Sequence, residues 1–164
     1  STKLYIIDMA FLPPVFQAAL TSIEANQPAT RIDFANAWAD AFYNAFGTGP
    51  MAAPSLSGTA ARAAAFSIFL TAYEDATPAD NPPGINKMKA GGAAFATTLA
   101  LGTLPAFAST PPMSPCPTWD QYASQGMDTT QKGVMPGLMT QATYTWLTGG
   151  IAVNTVSGVT VPWA

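Results

Sequence analysis

Along the first two thirds of the chain apolar residues recur every three or four positions, the period of an amphipathic helix. After Pro13-Pro14, the run Val15 to Asn26 places Val15, Ala18, Ala19 and Ile23 on one face, and Pro28 closes it. Ile32 to Phe46 carries Phe34, Trp38, Phe42 and Phe46 at steps of four, with Gly47 and Gly49 as stop signals, so this aromatic stripe is expected to anchor the helix in a core. Ser57 suits the N-cap of a third helix to about Ala76, carrying Ala61, Ala64, Ala65, Ile68, Phe69, Ala72 and Tyr73. The segment Asp75 to Gly84, with three prolines, predicts a loop. A fourth helix over about Ile85 to Leu101 contains Gly91-Gly92, which either permit a tight helix crossing or mark a weak helix.

From Thr103 to Pro117 five prolines rule out a continuing helix and favour extended backbone, a linker or arm. Thr118-Trp119-Asp120-Gln121 matches a capping box opening a short helix to about Gln125. A further helix is expected from Pro136 to Gly149-Gly150, with Leu138, Met139, Ala142 and Trp146 facing inward. In the last fourteen residues the period drops to two. Ile151 and Val153, then Val159, Val161 and Trp163, alternate about Ser157-Gly158, which predicts a hairpin with a two-residue turn. An isolated hairpin is marginal in water, so this one needs its own helices or another chain to cover it, and open strand edges suit the second option. The expected fold is therefore mainly α: a bundle of about five to six helices with a Pro-rich arm and a C-terminal β-hairpin. Its parts are a helical core over 1–102, the arm over 103–117, short helices over 118–150 and the hairpin over 151–164, all in one compact domain.

Charge changes the picture. Only 9% of the 164 residues are charged, against about 25% in an ordinary globular domain. A chain so poor in charge is expected to have much of its surface covered by partners or by copies of itself, unless Ser, Thr and Asn coat it. The six basic residues, Lys3, Arg31, Arg62, Lys87, Lys89 and Lys132, are scattered and outnumbered by nine acidic ones, which argues against nucleic-acid binding. Asp8 and Pro13-Pro14 interrupt what would be a signal sequence, and Ser1 fits removal of an initiator methionine. The uncharged stretch from Ala90 is Ala-, Gly- and Thr-rich and contains Pro105, so no membrane span is expected.

The search for chemistry yields little. With no histidine and a single cysteine, Cys116 between two prolines, His-dependent triads, Cys-His pairs and the usual zinc sites have no residues to use. Phosphate-binding glycine motifs are missing as well, so no cofactor is expected. Glu24 and Asp33 stand nine apart, a spacing reminiscent of phage-type lysozymes, but the threonine that should follow six positions later is Ala39 and the surroundings do not match. Glu74, Asp75, Asp80 and Asn81 form the densest acidic patch, without the order of an EF-hand. No catalytic residue, cofactor site or metal site is assigned.

The lack of histidine, the lone cysteine, the proline-interrupted Ala/Thr-rich helices and the closing Gly149-Gly150-Ile151 to Trp163 stretch resemble small structural proteins of tailed bacteriophages. The resemblance implies a tail, baseplate or head-neck component, located in the virion and assembled in the host cytoplasm. Such a subunit works by assembly, with copies of itself or other virion proteins as partners. Candidate interaction residues are Ile151, Val153, Val159, Val161 and Trp163. The alternatives are a carboxylate-based cell-wall hydrolase and a membrane-active helical protein inserting Ala90 to Leu104.

Overall fold

A computed structural model describes residues 11–46, 58–74, 82–112, 119 and 133–164. Within them lie five helices and one small sheet: α1 (Pro13–Ala25), α2 (Arg31–Ala45), α3 (Gly58–Glu74), α4 (Pro82–Leu101), β1 (Phe107–Thr110), α5 (Met135–Leu147), β2 (Ile151–Asn154) and β3 (Thr160–Pro162). Mainly helical architecture with C-terminal β-structure is thus what the periodicity predicts, with corrections of physical interest.

Prolines open helices here rather than preceding them. Pro13-Pro14 occupy the first turn of α1, Pro82-Pro83 the first turn of α4 and Pro136 that of α5. First-turn positions need no intrahelical N–H, so the proline ring costs nothing there, and α4 starts three residues inside the expected loop. Thr30 caps α2 by accepting the N–H of Asp33 at 3.1 Å. The carboxylate of Asp33 sits in the first turn, where the helix dipole favours it.

Aromatic side chains make the core. Phe42 of α2 has its ring centroid 5.0 Å from Phe16, 5.7 Å from Phe95, 6.2 Å from Phe69 and 6.3 Å from Trp119. Trp38, Phe42 and Phe46 are buried and Phe34 is half-buried, as the four-residue stripe requires. Elsewhere the inward face is rotated from expectation. In α1 the buried residues are Phe16 and Leu20, while Val15 and Ala18 face out. In α5 Ala142 is buried as expected, together with Met135, Thr140, Thr143 and Leu147, while Leu138, Met139 and Trp146 are only half-buried. In α1 two large side chains outweigh a stripe of smaller ones, because burial energy follows apolar area.

The glycine pair in α4 marks a tight crossing. A Cβ on Gly91 would run into the Phe69 ring of α3, and one on Gly92 would lie 3.0 Å from the Phe42 ring. Both helices come close because nothing larger than hydrogen stands between them.

The expected linker is in part a strand. After α4 the chain reverses through residues 102–106 and runs antiparallel to β2 with Phe107 opposite Asn154 and Thr110 opposite Ile151. The C-terminal hairpin is therefore two strands of a three-stranded sheet ordered β1-β2-β3. Its turn also differs. Asn154 donates its N–H to Val159 O at 2.9 Å, so four residues, 155–158, form the loop instead of two. The Asn154 side chain accepts the N–H groups of Val156 and Ser157, both at 2.9 Å, and Gly158 takes the left-handed conformation at φ 73°. Asn and Gly are residues that stabilise such turns. The Ser57 cap, the Gly47 and Gly49 stops, the capping box apart from Trp119, and Cys116 lie outside the described residues.

Candidate interaction surface

The sheet is fastened to the helices by Trp163. This residue follows β3, is fully buried, meets Phe46 edge-on at 6.2 Å and donates its indole N–H to Ile151 O at 3.3 Å. Gly150 makes the seat: a Cβ there would lie 2.9 Å from the Trp163 ring and 3.0 Å from Pro112. Ala152, opposite Val161, is the other fully buried residue of the sheet. The hairpin thus covers its inner face with its own chain, which decides the question its apolar pattern leaves open.

Both edges of the sheet are blunted. On β1 the side away from β2 is taken up by Thr103, which is buried. Its carbonyl accepts the Phe107 N–H at 3.0 Å, and its hydroxyl lies 3.0 Å from Phe107 O and 2.7 Å from Ser109 Oγ. On β3 the bonded pairs are Asn154 with Val159 and Gly150 with Trp163, so the backbone of Thr160 and Pro162 points away from β2. Proline has no N–H, and a proline on an edge obstructs addition of another strand. Strand addition, favoured by the sequence pattern, is therefore the poorer route to a partner.

Side chains offer the better one. Thr155 donates its hydroxyl to Pro105 O at 2.6 Å and its N–H to Ala106 O at 3.1 Å, joining the hairpin loop to the turn after α4 across fifty residues of sequence. Around this junction stand Leu104 and Val156, with Leu101 at the end of α4 and Val159 across the hairpin. These are 59%, 95%, 70% and 58% exposed. No charged side chain occurs between Lys89 and Asp120 or from Gly133 to the last residue, so the described segments that build this pole carry none.

The candidate residues divide accordingly. Ile151 and Val159 are exposed, and Val153 and Val161 are half-buried. Trp163 corrects the expectation: buried by Phe46 and the Gly150 seat, it is an internal anchor and presents nothing to a partner. Leu101, Leu104 and Val156 escaped the sequence reading, although the charge-free run after Lys89, with two leucines flanking a glycine turn, is the signal that points to the first two.

The carboxylates among the described residues are dispersed. Glu24 borders a small cleft lined by Leu20, Ile23, Trp38, Met135, Pro136 and Met139, which Asp33 does not line. Asp40 pairs with Arg62 of α3, Nε donating at 2.6 Å, while the Arg62 Nη2 donates to Asn36 at 2.8 Å. Among the described residues no three acidic or cysteine side chains stand together as metal ligands, and Asp75, Asp80 and Asn81 fall outside them. None of the described helices is long and apolar enough to cross a membrane. In α4, Gly91, Gly92, Phe95, Ala96, Leu99 and Ala100 are buried in the core.

No family model, curated protein or solved structure matches this chain.

Proposed function

We propose that this protein is a structural subunit of a larger particle, a bacteriophage virion, that works through protein–protein contacts made by the exposed apolar side chains of its sheet pole. The observation carrying the reading is the placement of Leu101, Leu104, Val156 and Val159 at one end, all more than half exposed, in segments without a charged side chain. Single exposed apolar residues are ordinary on any surface, but a cluster without charge favours association. The rigid attachment of this end by Trp163 and Thr155 supports the same role, since a preorganised surface loses less entropy on docking.

The decisive experiment uses point substitutions, because removing residues 151–164 would also remove the Trp163 anchor. Leu104→Asp with Val156→Asp changes only exposed positions and places charge in the contact. Purified phage particles carrying the gene are expected to contain the wild-type protein by mass spectrometry and to lose the double variant, which still folds by circular dichroism. Incorporation of the folded double variant at the wild-type level would refute the proposal.

A further inference from the structure

The exposed apolar side chains of the sheet pole come from two stretches far apart in sequence. Leu101 and Leu104 belong to the end of α4 and the turn after it, Val156 and Val159 to the connection between β2 and β3. Two sets of hydrogen bonds hold that connection. One set is internal: the Asn154 side chain accepts the N–H groups of Val156 and Ser157 at 2.9 Å, the Gly158 N–H donates to Asn154 O at 2.8 Å, and the Ser157 hydroxyl accepts the Val159 N–H at 3.2 Å. These bonds fix the shape of the loop and leave its position against α4 undetermined.

Position comes from Thr155. The β1–β2 register ends at Phe107 opposite Asn154, and Thr155 carries the attachment past it into the turn: its N–H donates to Ala106 O at 3.1 Å and its hydroxyl to Pro105 O at 2.6 Å. Leu104 precedes Pro105 and Val156 follows Thr155, so the hydroxyl bond links the two apolar positions through one residue on each side. This bond is exposed, and an exposed bond between neutral groups adds little to folding because water can replace either partner. Its consequence is positional. A face made from two segments docks as one when they are held together before contact, and ordering them beforehand spares the complex that entropy.

Resting on the assembly role proposed for this pole, we infer that Thr155 is its positioning residue: the hydroxyl bond to Pro105 O locks the hairpin loop onto the turn after α4 and makes Leu104 and Val156 one preorganised face. With that bond open, the loop keeps the shape that Asn154 gives it and Trp163 still holds the sheet on the helices, but the two halves of the face move independently. Thr155 therefore controls docking while contributing little to stability.

Two substitutions in the full chain test it. Thr155→Val keeps the branched shape and removes the hydroxyl, whereas Thr155→Ser keeps the hydroxyl. In hydrogen exchange followed by NMR, Thr155→Val is expected to lower the protection of the amide at position 155 roughly fivefold, with the Gly158 amide and those of α2 and α3 unchanged. In phage particles produced with wild type and variant together, mass spectrometry is expected to find Thr155→Val depleted roughly two- to tenfold relative to wild type. Thr155→Ser is expected to restore both readings. Unchanged protection at position 155 overturns the inference whatever the particles contain, and failure of Thr155→Ser to restore incorporation overturns it too. Incorporation of Thr155→Val at the wild-type level, in particles that exclude Leu104→Asp with Val156→Asp, overturns the inference and leaves the assembly surface standing. Incorporation of that folded double variant refutes the assembly surface itself, and the positioning role falls with it.

Discussion

The helical body and the C-terminal sheet use apolar side chains in opposite ways. In the body Phe16, Phe42, Phe46, Phe69 and Phe95 are completely or almost completely buried, and each packs against at least one other ring. In the sheet, Ala152 and Trp163 are buried while Ile151, Val156 and Val159 remain exposed. Rings that meet at 5–6 Å stabilise a fold beyond their burial alone, whereas exposed valines contribute little to folding and remain available for a partner. The body holds the fold together and the sheet carries a surface.

Substitution at the centre of the body is expected to have the largest effect. Phe42→Ala removes the ring that touches Phe16, Phe69, Phe95 and Trp119 and should cost about 3–5 kcal/mol, read by urea denaturation, unfolding the sheet with the helices. Trp163→Ala sharpens the contrast. It should cost about 3 kcal/mol, with amides of β2 and β3 losing hydrogen-exchange protection before those of α2 and α3. Simultaneous loss in all four elements would mean that the two regions are one cooperative unit.

Gly91→Ala probes the tight crossing. Helix propensity favours alanine by about 1 kcal/mol, but the Phe69 ring has to move, and overpacking costs about 1–3 kcal/mol, so a net loss of about 1 kcal/mol in the thermal or urea transition is expected. Arg62→Ala should cost below about 1 kcal/mol, because Asp40 is half exposed and solvent screens the pair. The loss should shrink further at high salt. Leu104→Asp and Val156→Asp should each change stability by no more than about 0.5 kcal/mol, the smallest effect of the set, since both side chains stand in water.

How much of this was legible in the sequence follows from the physics of each element. The stripe Phe34, Trp38, Phe42, Phe46 reads directly as a buried face because its side chains are large and its spacing regular. In α1, Ala18 and Val15 compete with Phe16 and Leu20 for the inward position, and a count of apolar residues does not weigh their size. The strand β1 escaped because its four residues, Phe-Ala-Ser-Thr, lie among prolines and pair with residues more than forty positions away. Such long-range pairing leaves no periodic mark in a short segment. The hairpin was legible, yet its role was not: Trp163 ends an alternating strand, and only the position of Phe46 makes it an anchor. The exposed pole shows in sequence as absence of charge, but Leu104 and Val156 become neighbours through the Thr155 hydrogen bonds alone.

The central claim, that the sheet pole is the covered surface, is tested most directly by hydrogen–deuterium exchange of the protein in purified particles against the isolated chain. Peptides spanning 101–106 and 155–160 are expected to exchange more slowly in the particle, while those of the buried α2 and α3 faces stay unchanged. Equal exchange at 101–106 and 155–160 in both states would contradict the account.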